Sequence, residues 1–211
     1  MVVKNIKLPD DNIFVVVAFD ICSSSDILEE LTLKGDMKRF RRLLIAIKNY
    51  LMEMQKTIGF DAYKFTGDGW ILLFPENTDG KELLKFLRNL CAFFKKNLRN
   101  QVLKYLDTPP SITGLTFGLE KGPLMAMRMY HKTEYVGRAL TIACRLQNAV
   151  KDKGDSPAYM ALVSNTVFND YLFPATGFKV FDKATRTLRN IRGGVKFRCI
   201  KIELLNSSST T

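Results

Sequence analysis

Two aspartates, Asp20 and Asp68, are the residues of this chain best suited to do chemistry. Asp20 closes the apolar run Ile13–Phe19 (IFVVVAF), and Asp68 sits in the turn Thr66-Gly67-Asp68-Gly69. A carboxylate ending a buried strand, beside a second at the tip of a neighbouring hairpin, makes a hard-oxygen site. Mg²⁺ takes such sites, with phosphate oxygens completing its shell. Two ions held there could stabilise both the attacking and the leaving oxygen of an in-line displacement. The stretch after Asp20, Ile21-Cys22-Ser23-Ser24-Ser25, is small and polar and opens a helix, so its amides suit phosphate. Singly, these signals have plainer explanations. An aspartate in a Gly-Asp-Gly turn is usually a turn residue, and one closing a strand is often a helix cap. The pairing is what points to metal-dependent phosphate chemistry.

Other catalytic machinery is scarce. The four cysteines, Cys22, Cys91, Cys144 and Cys199, are scattered, and His131 is the single histidine. That argues against a structural zinc site or a disulfide framework. No Gly-x-Ser-x-Gly elbow is present either, so catalysis is expected to run on carboxylates, metal ions and cations. The net charge of +11, from 32 basic and 21 acidic residues, attracts polyanions: nucleic acid, anionic membrane or a nucleoside triphosphate. Clusters such as Arg39, Arg41 and Arg42, or Lys95 and Lys96, also read as solvated helix faces. No nucleic-acid-binding motif accompanies them, so no nucleic-acid partner is expected. No apolar run approaches the roughly 20 residues that cross a bilayer, and the first residues lack a signal-peptide core. A cytoplasmic protein without a membrane span is the expectation.

The elements that must position the aspartates follow from hydrophobic spacing. Ile13–Phe19 is β-branched and unbroken, the pattern of a strand buried on both faces. Asp36–Met54 and Lys81–Leu98 carry apolar residues three and four apart, as amphipathic helices do. Tyr63–Phe65 and Trp70–Phe74 read as a hairpin around Asp68. Ile112–Leu119 and Leu124–Tyr130 read as a second antiparallel pair, turning at Lys121-Gly122-Pro123. A third helix spans Gly137–Val150, a short strand Tyr159–Val163, and a further hairpin Phe178–Ile202. This order predicts an α+β sandwich: one largely antiparallel sheet with helices packed on a face. Residues 1–205 are expected to form one domain and 206–211 a polar tail.

Along these elements the chain resembles the class III adenylate/guanylate cyclase family, from about Ile13 to Ile202. The family's strand ending Phe-x-Asp-Ile corresponds to Ala18-Phe19-Asp20-Ile21, and its Lys-x-x-Gly-Asp hairpin to Lys64-Phe65-Thr66-Gly67-Asp68. A Gly-x-x-x-Gly-Pro segment follows at Gly118–Pro123, then the segment Glu134–Leu146 with Tyr135, Gly137, Ala143 and Arg145 in place. The Gly-Gly-Asp-Glu-Phe signature of diguanylate cyclases is absent. The resemblance implies a ferredoxin-like cyclase homology domain that turns a nucleoside triphosphate into a cyclic mononucleotide and pyrophosphate. It further implies that Asp20, Asp68 and the Ile21 carbonyl hold two divalent ions, Mg²⁺ or Mn²⁺. Lys64 falls where the base is read, Arg145 where charge at the α-phosphate is stabilised, and Arg192 where the triphosphate is contacted. Such enzymes work as homodimers, with sites built from both subunits.

Departures from the family cluster around base and ribose. Thr141 stands where the family has asparagine, Glu134 where adenylate-type members carry Asp or Thr, and Ser23-Ser24 where Gly-Phe is usual. Together with the lack of an evident sensor segment, these changes resemble the stand-alone pyrimidine cyclases of Pycsar antiphage defence. Those make cyclic UMP or cyclic CMP, which activates a separate effector protein. UTP is the expected substrate ahead of CTP, with Tyr50 as a candidate for narrowing the pocket to a one-ring base. The competing expectations are an adenylate cyclase acting on ATP, a cyclase-like module that binds nucleotide without turnover, and a basic RNA-binding domain.

Overall fold

The computed structural model describes residues 12–150, 157–186, 188 and 197–205. Strand β1 (Asn12–Ile21) is followed by helices α1 (Ser24–Leu33) and α2 (Lys38–Ile58), the hairpin β2 (Asp61–Phe65) and β3 (Gly69–Pro75), and helix α3 (Gly80–Gln101). Next come β4 (Leu115–Met129), β5 (Lys132–Val136), helix α4 (Arg138–Ala149) and β6 (Met160–Ser164). After a short helical segment, Asn165–Val167 continued by Phe168–Leu172, the chain ends in β7 (Lys179–Arg186) and β8 (Phe197–Glu203). The sheet order is β2-β3-β1-β4-β6-β8-β7, with β5 paired to the far end of β4. Every described pairing is antiparallel except β4 with β6.

Local chemistry explains the helix limits. The Asp79 side chain caps α3 by accepting from the amides of Lys81 at 2.8 Å and Glu82 at 3.0 Å. Helix α2 stops at Gly59, whose φ of 82° is a left-handed cap that glycine adopts without strain. Alternation along β1 then sorts the interior. Val15, Val17, Phe19 and Ile21 face α1–α3 across a large core with Leu43, Ile47, Leu87 and Phe94. Val16 and Ala18 face the other way, onto a small cluster with Ile71, Leu73, Leu124, Ala139 and Ala143. Helix α4 lies so close there that a Cβ on Gly118 would meet the Ala143 carbonyl oxygen at 2.0 Å.

The predicted α+β class and mainly antiparallel sheet are as expected. Two features differ. Helices cover both faces, because α4 crosses the side opposite α1–α3. And β4 runs unbroken through Gly122-Pro123, where a turn was expected: Gly122 pairs with Phe14 and Pro123 with Ile13. Between Leu119, where β6 stops, and Met125, where β5 begins, β4 is flanked on one side only. A proline there removes no bond from a second ladder. The reversal falls at Tyr130-His131 instead, between β4 and β5. Among the described residues no helix is long and apolar enough to cross a membrane.

Candidate active site

The β1–β3 register brings the two aspartates together. Asp20 stands opposite Gly69, and Asp68 is the residue immediately before it. Gly69 is required at that point, since a Cβ would meet the Phe19 carbonyl oxygen at 2.0 Å. Gly67, at φ 110°, supplies the left-handed step that turns the hairpin tip. The Ser24 hydroxyl donates to Asp68 Oδ2, tying the hairpin tip to the first turn of α1. Ser23 precedes it at φ 55°, a backbone bend that swings the chain from strand to helix. Asp20, Asp68 and the start of α1 with Ser23, Ser24 and Ser25 therefore share one end of the sheet.

The described residues contain no group of three or more His, Cys, Asp and Glu side chains able to cage a metal alone. Two carboxylates beside a helix N-terminus suit a different arrangement, in which substrate phosphate oxygens complete the shell of a divalent ion. The donor set fits that role.

A second cluster lies on the hairpin's α4 side. Lys64 Nζ is 3.4 Å from Glu134 Oε2, and the Tyr63 hydroxyl donates to the same oxygen at 2.5 Å. Tyr63 also accepts from the Tyr135 amide at 3.0 Å, and the two rings meet edge to face at 5.3 Å. The Tyr63 hydroxyl, then Lys64, outweigh burial and hold the Glu134 carboxyl below its ordinary value. Burial, then the Glu134 carboxylate, push the Tyr63 hydroxyl up. A pocket of about 370 Å³ opens beside this group, lined also by Met127, Met129 and Leu140. Lys64 brings a cation and Glu134 a carboxylate to its lining. Tyr63 was not anticipated: strict alternation would turn it away from Lys64, but a register shift between Asp61 and Lys64 sets both on this side.

Helix α4 carries the remaining candidates. Thr141 and Arg145 lie one turn apart on a flank that leaves Thr141 exposed, its hydroxyl 3.5 Å from the Gly137 carbonyl. Arg145 is half-buried, and among the described residues its Nη1 is buried without a hydrogen-bond partner. Arg192 lies outside the described residues. Tyr50 is a correction. It stacks on Phe93 at 4.5 Å and Phe86 at 6.4 Å between α2 and α3, across the sheet from Lys64 and Glu134. The structure does not bring it to the pocket beside Lys64 and Glu134. Its ring spacing on α2 matched the apolar stripe, and core packing is what that stripe does.

No family model and no curated relative matches the sequence. Solved structures do. The adenylyl cyclase CyaB from P. aeruginosa is 16% identical, with a TM-score of 0.67 over 94% of this chain and 96% of that one. The catalytic core of a rhodopsin-guanylyl cyclase with converted specificity, solved with ATPαS, is 14% identical over 91% and 95%, with a TM-score of 0.61. An adenylate cyclase from Trypanosoma brucei, in its monomeric state, is 10% identical over 93% and 91%, at 0.65. The chain thus has the fold of the adenylyl and guanylyl cyclases, the cyclase homology domain.

Proposed function

We propose that this chain is a nucleotide cyclase converting a pyrimidine nucleoside triphosphate, UTP ahead of CTP, into its 3′,5′-cyclic monophosphate. The carrying observation is the register that sets Asp20 against Gly69 and so beside Asp68, in a fold shared with adenylyl and guanylyl cyclases. Residues 1–205 act as one catalytic domain in this reading. Asp20, Asp68 and the Ile21 carbonyl would hold two divalent ions, Mg²⁺ or Mn²⁺. Such ions, when bound, acidify the attacking hydroxyl and neutralise triphosphate charge.

The chain's own groups do the rest. Ser24 orients the Asp68 carboxylate, and the first amides of α1 receive phosphate oxygens. The ribose 3′-oxygen bonds to the α-phosphorus as the bond from that phosphorus to the bridging oxygen breaks. Pyrophosphate leaves, and the hydroxyl proton passes to solvent. Arg145 supplies charge at the α-phosphate, and Arg192 contacts the leaving phosphates. Thr141 bonds the ribose. Lys64 donates to a base carbonyl while Glu134 accepts from a base N–H. A two-fold dimer combines the metal residues of one subunit with Lys64, Arg145 and Arg192 of the other, giving two equal sites.

Tyr63 already occupies one Glu134 oxygen, leaving a single donor–acceptor edge for the base, which uracil and cytosine each satisfy, so the order of UTP ahead of CTP rests on the sequence resemblance. Adenine offers the same edge, and the likeness to adenylyl cyclases favours ATP as the second reading. Cyclic pyrimidine nucleotide as an antiphage signal to a separate effector rests on the sequence resemblance. Mass spectrometry of products from each of the four triphosphates with Mn²⁺ or Mg²⁺ tests the proposal. Cyclic UMP with pyrophosphate is expected. A preference for ATP would install the second reading, and no cyclic product from any of the four would leave a nucleotide-binding module.

A further inference from the structure

A groove of about 430 Å³ runs between α2 and the β2–β3 hairpin, on the face of the sheet away from Lys64 and Glu134. Its α2 wall repeats every seven residues. Leu44 and Leu51 form the floor, Ile45 and Met52 the flank, and Arg41, Lys48 and Gln55 the rim. Phe65 and Trp70 stand opposite, their rings in contact at 4.8 Å. Ile45, Met52 and Phe65 are 44%, 49% and 50% exposed, high for residues that share one concave surface.

A seven-residue repeat is the seam against which a second helix packs. From Arg41 to Gln55 the seam is about 21 Å long at ~1.5 Å per residue, room for about four helical turns. Charge selects the occupant. Helix α2 carries Lys38, Arg39, Arg41, Arg42, Lys48 and Lys56 against one acid, Glu53. Arg41 and Lys48 are exposed and have no ion-pair partner among the described residues. A second copy pairing α2 against α2 would bring the same cations to the seam and be repelled. A membrane or nucleic acid would meet the cations but leave the concave apolar floor unfilled. A helix with an apolar stripe flanked by Asp and Glu fills the floor and pairs with the rim.

The groove and the candidate active site share the hairpin. Phe65 follows Lys64 in β2, and Trp70 lies two residues beyond Asp68. We propose that this groove docks an acidic amphipathic helix of a partner protein and, through the shared hairpin, sets the activity of the site. The regulatory half rests on the cyclase reading; the docking half does not.

Trp70 is the chain's single tryptophan and packs on the groove residue Phe65, so its emission is the readout of occupancy. The probe is a tryptophan-free helical peptide of about five turns with leucines three and four apart and glutamates flanking them. A second peptide replaces every glutamate with lysine. A saturable Trp70 response to the glutamate peptide is expected, at least about tenfold weaker with the lysine peptide. Lys48→Glu and Met52→Glu should each weaken it by about tenfold without changing melting temperature or basal turnover. Equal responses to the two peptides would overturn docking. So would an unaffected Lys48→Glu, or tighter binding of phosphatidylserine vesicles or duplex RNA through the same residues. At saturation the peptide should change UTP turnover severalfold. A Trp70 response with turnover unchanged would overturn the coupling. No turnover under any condition, with the Trp70 response intact, would count against the cyclase reading alone.

Discussion

The two faces of the sheet are built to different ends. On the α1–α3 side, large side chains such as Phe74, Phe94, Leu72 and Leu87 interlock in one wide core and are fully buried. On the α4 side the apolar packing is thinner and split in two, one cluster joining Val16, Ile71, Leu73 and Leu124 to Ala18, Ala139 and Ala143 and the other formed around Ile142, Leu146 and Leu162, with α4 seated against Gly118. Polar groups crowd that thin side: Lys64, Tyr63, Glu134, Thr141 and Arg145 all lie on or beside it. Small residues let main chain approach main chain, so distances there are set by backbone geometry. The thick face carries most of the large apolar burial, and the thin face carries the polar groups, bonded to one another beside its smaller clusters.

Substitutions can test that division. The greatest effect is expected from Asp20→Asn or Asp68→Asn. Each should cut cyclic-nucleotide formation by about a thousandfold or more with little change in melting temperature, read by product assay and thermal melting. Loss of the fold in these variants would mean that the site is structural. Leu87→Ala should do the reverse on the thick face, costing about 2–5 kcal/mol in denaturant unfolding while the folded fraction keeps its turnover. Gly118→Ala should breach the boundary and lose both, because the new methyl collides with main chain of α4. Arg145→Ala should lower turnover about a hundredfold yet leave melting temperature unchanged or higher, since the buried Nη1 has no partner to lose among the described residues.

Tyr63→Phe should give the smallest effect, visible as a shift with pH. Glu134 titrates below its ordinary value of 4.5 with the Tyr63 hydroxyl as first cause. Its ionised form is therefore favoured above that value and lost only as pH falls through the lowered one. Without the hydroxyl, the acid limb of the turnover profile should move to higher pH, with KM affected more than kcat. An unmoved acid limb would remove Glu134 from base recognition.

Much of this was legible in the residues. The β1 run, the α2 and α3 stripes and the hairpin around Asp68 follow from period and turn chemistry, and those elements bring Asp20 to Asp68. What escaped depended on tertiary context. Gly122-Pro123 has the composition of a turn, and only the one-sided flanking of β4 lets it continue as strand. Tyr63 joins Lys64 through a register shift, which no alternation pattern encodes. Tyr50 stands out in the sequence as a hydroxyl on the apolar α2 stripe and a candidate for narrowing a pocket, but its neighbours Phe86 and Phe93 come from another helix and take the ring.

Gly69 has a consequence for how such a site can change over time. With a peptide oxygen 2.0 Å from where its Cβ would be, the approach of the hairpin to β1 beside Asp20 and Asp68 is set by main chain against main chain. The end of the sheet that carries Asp20 and Asp68 thus leans on main-chain contact, whereas the Tyr63, Lys64 and Glu134 cluster is held by side chains that substitution can change.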